Sequence, residues 1–282
     1  MNARLTQAEA LYYECEEFWK PGMVIDAPNR QRIFETAQII PKGVKTLADI
    51  GCGNGIFLDY LQSNYNYSLL GVDRSKQALR HVNTNKLQAD ISKIPVADQA
   101  FDCVTCLEVL EHIPCNEYER ALKELTRISG RFIIISVPYN EKIEQNSTQC
   151  PQCKSVFNAD FHFRSFTHET LKGLLQPYGF KCLMAKNIVP RKELVGYKWY
   201  QGLLKIIRNK KENSFRSPVC PVCSYENKLF AIPIGQYKEF PHRSLSADAV
   251  KSTYKKLIKS IKPHWPRVDV PGYWSMALYV KE

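Results

Sequence analysis

Two sets of residues in this 282-residue chain have types and spacings that could do chemistry. The first is DIGCGNG, Asp49 to Gly55, which closes the apolar run TLADI and opens the run IFLDYL. Glycines at 51, 53 and 55 remove every second Cβ where a strand must turn into a helix, so a ligand can lie against bare peptide groups. About twenty residues on, SLLGVD ends in Asp73, where folds of this kind bind the two hydroxyls of an adenosine ribose. A dinucleotide would need a third Gly or Ala so that its pyrophosphate could approach the helix N-terminus, and Ile56 stands there instead. The ligand therefore reads as an adenosine without phosphates. The second set is CPQC, Cys150 to Cys153, and CPVC, Cys220 to Cys223. Each CPxC puts two thiolates on one tight turn, and two such turns supply a closed tetrahedral sulfur site for a structural zinc. The 66 residues between Cys153 and Cys220 are a gap that topology can close. A ligand set of Cys150, Cys153 and His162 with a further residue stays open. A redox role is disfavoured, because neither CxxC opens a helix after a strand.

These residues need a scaffold, and the pattern around them supplies one. Short β-like runs near 46–50, 68–72, 86–89, 101–107, 131–137, 180–187 and 274–281 alternate with helical stretches near 54–63, 75–82, 116–129 and 167–176. Such alternation predicts a Rossmann-like α/β fold: a seven-stranded, mostly parallel sheet with helices on both faces. Thr167, followed by Glu169 and Thr170, predicts a helix cap, and Pro177 to Gly179 a stop. An N-terminal helical segment is expected around 6–19, within a helical cap over residues 1–45. The core then covers 46–190, with a CPxC insertion at 138–165. A basic insertion follows over 191–272, carrying the second CPxC and helical candidates at 194–209 and 246–262, and 273–282 forms the final strand. Both insertions leave the sheet at carboxyl ends of parallel strands, the edge where ligands of open α/β sheets bind. Zinc would clasp them into a lid over the acceptor.

Motif I of the class I S-adenosylmethionine (SAM) dependent methyltransferases resembles DIGCGNG, and the chain continues as that family does. LQADISKIP supplies Asp90 and Ile91, FDCVTCLEVLEHIP resembles the fourth-strand motif, RFIIISVPYNE ends a fifth strand at Pro138, and YWSMALYVKE is similar to the family's final, antiparallel strand. The resemblance implies SAM as cofactor. It assigns Asp49, Gly51, Gly53 and Gly55 to the methionine end, Asp73 to the ribose, Asp90 and Ile91 to the adenine, and Leu107 with Glu108 to the border of the methyl site. LEVLEHIP also contains ExxEH, as do ubiquinone-pathway O-methyltransferases and methyltransferases of small-RNA 3′ ends. There the motif ligates a divalent metal that binds the acceptor hydroxyls, which implies Mg²⁺ or Mn²⁺ at Glu108, Glu111 and His112, with His162 completing the set. Without a metal, His112 or His162 would serve as general base, with Glu111 beside them. A CPxC insert followed by HFRSFTHETLKGLLQPYGF is similar to a bacterial subgroup linked to surface-polysaccharide and secondary-metabolite pathways. That likeness implies O-methylation of a small or glycan-type hydroxylated acceptor.

Charge bears on the partners. Residues 191–282 carry 18 Lys and Arg against 7 Asp and Glu, while residues 1–190 carry 21 of each, so the whole +11 excess lies in the last third. A basic appendage on a neutral body suits a phosphate-bearing acceptor. With Tyr197, Trp199, Tyr200 and Phe215 interleaved, it also admits RNA as a less favoured acceptor. A zinc-bearing interaction protein with a vestigial cofactor fold is the alternative from outside enzymology. No apolar stretch approaches the ~20 residues of a membrane helix, and the N-terminus lacks a basic-then-apolar leader pattern, so a cytoplasmic location is expected.

Overall fold

In the computed structural model, the described residues are 27–189 and 272–282, positions 13, 14, 19, 220, 222, 223 and 225, and the backbone of 191–194 and 267–270. The expected helices at 194–209 and 246–262 lie outside the described residues apart from position 194, as do the aromatics at 197–215; of the expected helix at 6–19, only positions 13, 14 and 19 are described.

Seven strands form one sheet: β1 (Thr46–Ile50), β2 (Ser68–Asp73), β3 (Asn85–Gln88), β4 (Phe101–Leu107), β5 (Ser129–Pro138), β8 (Phe180–Ile188) and β11 (Trp274–Lys281). Their order is β3-β2-β1-β4-β5-β11-β8, and β11 alone runs opposite to the other six. The central strands read as nearly continuous apolar runs because both of their faces are covered. On β5, Ile133, Ile135 and Val137 pack to one side with Leu122, Leu125 and Ile128 of helix α4 (Cys115–Ile128), while Phe132 and Ile134 join the opposite cluster. That second cluster holds Phe57, Leu58 and Leu61 of α2 (Ile56–Asn64) and Ile33 and Ala37 of α1 (Ala27–Gln38).

Two helices are shorter than their sequence pattern. α3 spans only Lys76–Leu79, capped by Ser75 and followed by Val82, Asn83 and Thr84, all weak helix formers. α5 (His168–Gly173) starts in a capping box in which Thr167 and Thr170 bond reciprocally, and after a turn at Gln176–Tyr178 it stops at Gly179 with φ 77°. The insertion after β5 folds into a hairpin of β6 (Ser147–Gln149) and β7 (Val156–Asn158), with the first cysteine pair at its turn.

The chain divides into two compact units. The first comprises Met1–Val189, Asn213–Asn227 and Gly272–Glu282, so the second cysteine pair groups with the sheet. The second comprises Pro190–Glu212 and Lys228–Pro271, in which β9 (Arg191–Leu194) and β10 (Arg267–Val270) pair as an antiparallel ribbon.

Candidate functional site

The glycine loop closes because three of its residues adopt left-handed backbone: φ is 75° at Gly51, 54° at Gly53 and 80° at Gly55. A Cβ on Gly51 would stand 2.3 Å from Val109 Cγ2, and one on Gly53 would stand 2.8 Å from Trp19 Cζ3. Asp73, at the end of β2, ties the loop down: its carboxylate accepts from Gly53 N and Ser75 N, both at 2.8 Å. Burial raises its pKa.

A cleft opens above the carboxyl ends of β1, β2 and β4. Of the nine residues expected to hold SAM, Gly51, Asp73, Asp90, Ile91 and Glu108 line it; Asp49, Gly53, Gly55 and Leu107 do not. Asp49 is 3% exposed beneath the loop, where Thr105 Oγ1 donates to it at 2.6 Å. Burial outweighs that bond and raises its carboxyl to about 7. Such a shift makes ionisation of Asp49 a cost of folding: the stability it lends is complete below its unfolded pKa near 4 and is lost as pH climbs towards 7. Asp49→Asn is therefore expected to flatten the stability profile of cofactor-free protein over that window, by a few kcal/mol, and to be the more stable protein above pH 7. Urea unfolding at pH 5 and pH 8 tests this; parallel profiles for the two proteins would contradict it.

Residues of the expected N-terminal segment cover the cleft, although no local pattern singles out which of them do so. Tyr13 places its hydroxyl 3.1 Å from His112 Nδ1, its carbonyl accepts from Ser75 Oγ at 2.7 Å, and Glu14 accepts from Lys76 N at the start of α3. Trp19 lies over Gly53. On α1, Arg32 sits 5.3 Å from the centre of the Trp274 ring; burial raises the carboxyls of Asp49 and Glu108, and the Arg32 charge offsets only part of that rise.

Beside the cleft, ligand atoms of Glu111, His112 and His162 all lie within 4.8 Å of one another. Glu108 stands outside this group. It occupies a left-handed conformation with φ 58° at the end of β4, and its carboxylate accepts from Ser136 Oγ at 2.6 Å. Such a conformation in a non-glycine residue costs on the order of 1–3 kcal/mol. Glu111 and His112 lie on the turn Leu110–His112, and the segment after β7 is clamped onto that turn. Phe163 N donates to Glu111 O at 2.8 Å, and Arg164 Nη1 donates to Leu110 O at 2.6 Å. The rings of His112 and His162 meet edge to face at 4.6 Å. Glu111 is 1% exposed, and neither carboxylate oxygen has a hydrogen-bond partner among the described residues. Burial, then the neighbouring Glu108, pushes its pKa well up. Burial and the neighbouring His162 lower His112 to about 3, so it is neutral at ordinary pH and a poor proton acceptor. A carboxylate with both oxygens unspent, facing two imidazoles, fits a divalent cation of the Mn²⁺ type better than Mg²⁺, which prefers oxygen alone.

The four cysteines of the CPxC pairs also converge. Cys150 Sγ lies 3.7 Å from Cys223 Sγ, and Cys153 Sγ 3.6 Å from Cys220 Sγ. A tetrahedron with Zn–S bonds of ~2.3 Å has edges of about 3.8 Å, so the cage fits zinc. Cys150 and Cys220 are fully buried, while hydrogen bonds from Ser155 lower Cys153 to about 6, towards the thiolate a metal needs.

Residues 48–134 match the family model described as a methyltransferase domain. The chain is 31% identical over 155 residues to a ubiquinone biosynthesis O-methyltransferase of Ralstonia nicotianae, covering 50% of this chain and 65% of that one. It is 30% identical over 121 residues to an uncharacterized protein of Methanocaldococcus jannaschii, covering 40% and 52%. The chain thus spans less than two thirds of either relative. Its fold superposes on a SAM-dependent methyltransferase of Archaeoglobus fulgidus with a TM-score of 0.50 at 16% identity, over 90% of this chain and 94% of that one. Residues 48–134 thus carry a methyltransferase domain, and the seven-stranded sheet whose only antiparallel strand is β11 has the fold of the class I SAM-dependent methyltransferases. No helix among the described residues is long and apolar enough to cross a membrane.

Proposed function

We propose that this chain transfers the methyl group of SAM to a hydroxyl oxygen of a small or glycan-type acceptor, in the presence of a divalent cation held by Glu111, His112 and His162. The observation that carries this reading is the carboxylate of Glu111, which has no hydrogen-bond partner among the described residues and is grouped with two imidazoles beside the cofactor cleft. The relative named for ubiquinone biosynthesis supports an oxygen acceptor.

Within this reading Asp73 takes the ribose hydroxyls, Asp90 and Ile91 the adenine, and Gly51 the methionine end, with Gly53 and Gly55 setting the turn behind it. Asp49 and Arg32 bias that end electrostatically, the acid towards the α-ammonium and the guanidinium towards the carboxylate. Leu107 and Glu108 border the methyl. The sulfonium is already a strong electrophile, so the chain's task is to hold the acceptor oxygen in line with the S–CH₃ bond and exclude water. Tyr13 and Trp19 serve the second need. When bound, a divalent cation would lower the pKa of an acceptor hydroxyl. The four cysteines hold a structural zinc, and the hairpin they anchor frames the acceptor side.

The test is transfer of radiolabelled methyl from SAM to vicinal-diol acceptors, aromatic and saccharide, and to RNA fragments, with and without Mn²⁺. Expected is an O-methyl product, stimulation by Mn²⁺ of at least about tenfold, and little effect of salt. Transfer to RNA that falls steeply with salt would replace this reading, as would full activity in a His162→Ala protein without added cation.

A further inference from the structure

Nothing in the methyltransferase motifs assigns a role to Glu141. It lies in the link between β5 and the cysteine-bearing hairpin, 21 residues before His162, and its Oε2 makes a short contact with His162 Nδ1. Both side chains are largely withdrawn from water, 21% and 12% exposed, so solvent competes little for the bond. The backbone on the other side is equally held: Asn158 Oδ1 accepts from Asp160 N at 2.9 Å and from His162 N at 3.2 Å, and Asn158 Nδ2 donates to Ile143 O at 3.0 Å.

An imidazole has two nitrogens, and the partner of one decides what the other can do. A carboxylate only accepts, so Nδ1 must carry the proton in the Glu141–His162 pair, which leaves the lone pair on Nε2. We infer that Glu141 is a positioning residue: it locks His162 in the Nδ1–H tautomer and holds Nε2 available to the site formed with Glu111 and His112. The inference rests on the proposed cation site for its consequence but not for its own geometry. The orientation it sets is that of a carboxylate–histidine–metal relay, in which the carboxylate fixes the ring and makes the ligating nitrogen more basic. Glu141 itself supplies no ligand and touches no reacting atom.

Two measurements on the full chain, zinc retained, test it with Glu141→Gln and Glu141→Ala. The first is long-range ¹H–¹⁵N correlation of the imidazoles before any Mn²⁺ is added. The chain has six histidines, and His162 is assigned by its loss in His162→Gln. Wild type should show His162 as the Nδ1–H tautomer, and Glu141→Ala should show the Nε2–H tautomer or a mixture. An unchanged tautomer would overturn the inference. The second is Mn²⁺ affinity from the resonance of the free aquo ion. Glu141→Gln keeps the shape and removes the charge, and should weaken Mn²⁺ about 10–100-fold with SAM affinity unchanged. Equal Mn²⁺ affinity in wild type and Glu141→Gln would also overturn it. Absence of Mn²⁺ binding in wild type would instead remove the cation site, and the tautomer experiment would then decide the role of Glu141 by itself.

Discussion

Glu111→Met is expected to make the protein more stable and nearly inactive. The native carboxyl is buried with neither oxygen bonded among the described residues, and burial together with Glu108 beside it opposes its ionisation. Leaving such a group unpaired costs about 1–3 kcal/mol, and an unbranched apolar chain of similar volume relieves that cost. Several degrees in melting temperature should be gained. Activity should fall by more than about 100-fold, since removing a ligand costs more than removing the group behind it. Mn²⁺ adds a control: at about 100 times its Kd it should stabilise wild type by about 2.7 kcal/mol and leave the variant unmoved. Scanning calorimetry with and without Mn²⁺, beside the methyl-transfer assay, reads all three effects. A melting temperature that drops along with the activity would show that the carboxyl supports the fold and not a ligand.

This opposition of stability and activity extends to Glu108. Its left-handed backbone and its pairing with Ser136 Oγ hold a second raised carboxyl at the end of β4, so two acids that resist ionisation stand side by side. A fold selected for stability alone would replace both. Under the proposed function, these two acids would face the sulfonium on one side and a cation on the other.

Much of this was legible in the sequence, for reasons that differ from residue to residue. The central strands β1, β4 and β5 could be placed because their apolar runs are local and buried on both faces, whereas β3 and β8 at the sheet edges are partly exposed. The glycine loop could be read because Asp49 to Gly55 act within one turn, and Asp73 because its distance from them is fixed by one helix and one strand. The pairing of Cys150 and Cys153 with Cys220 and Cys223 was suggested by spacing within each motif, though only the fold brings the motifs together. Tyr13 against His112 and Glu141 against His162 could not be found: they join residues 99 and 21 positions apart, and Tyr and Glu are common in surface helices and loops. Glu108 was expected with the metal ligands because ExxEH lists it first. It has left-handed backbone and its carboxylate accepts from Ser136 Oγ, and no local pattern announces a left-handed glutamate.

Cys220→Ser is expected to empty the cysteine cage and to loosen the second site along with it. A structural zinc contributes on the order of 10 kcal/mol to the order of the segment it holds, and three sulfurs with one hydroxyl do not retain it. The hairpin β6–β7 is short, three residues per strand, and is too small to stand alone. Its far end runs straight into Asn158, whose side chain sets the turn that delivers His162. Bound zinc per chain should fall from one to near zero. Amides of residues 147–158 should lose protection from hydrogen exchange, and Mn²⁺ affinity should fall although no Mn²⁺ ligand was changed. Cys115→Ser, which alters an exposed cysteine outside the cage, should change none of these. Retention of stoichiometric zinc would rule out Cys220 as a ligand. Loss of zinc with Mn²⁺ affinity intact would show that the hairpin positions His162 without the metal's help.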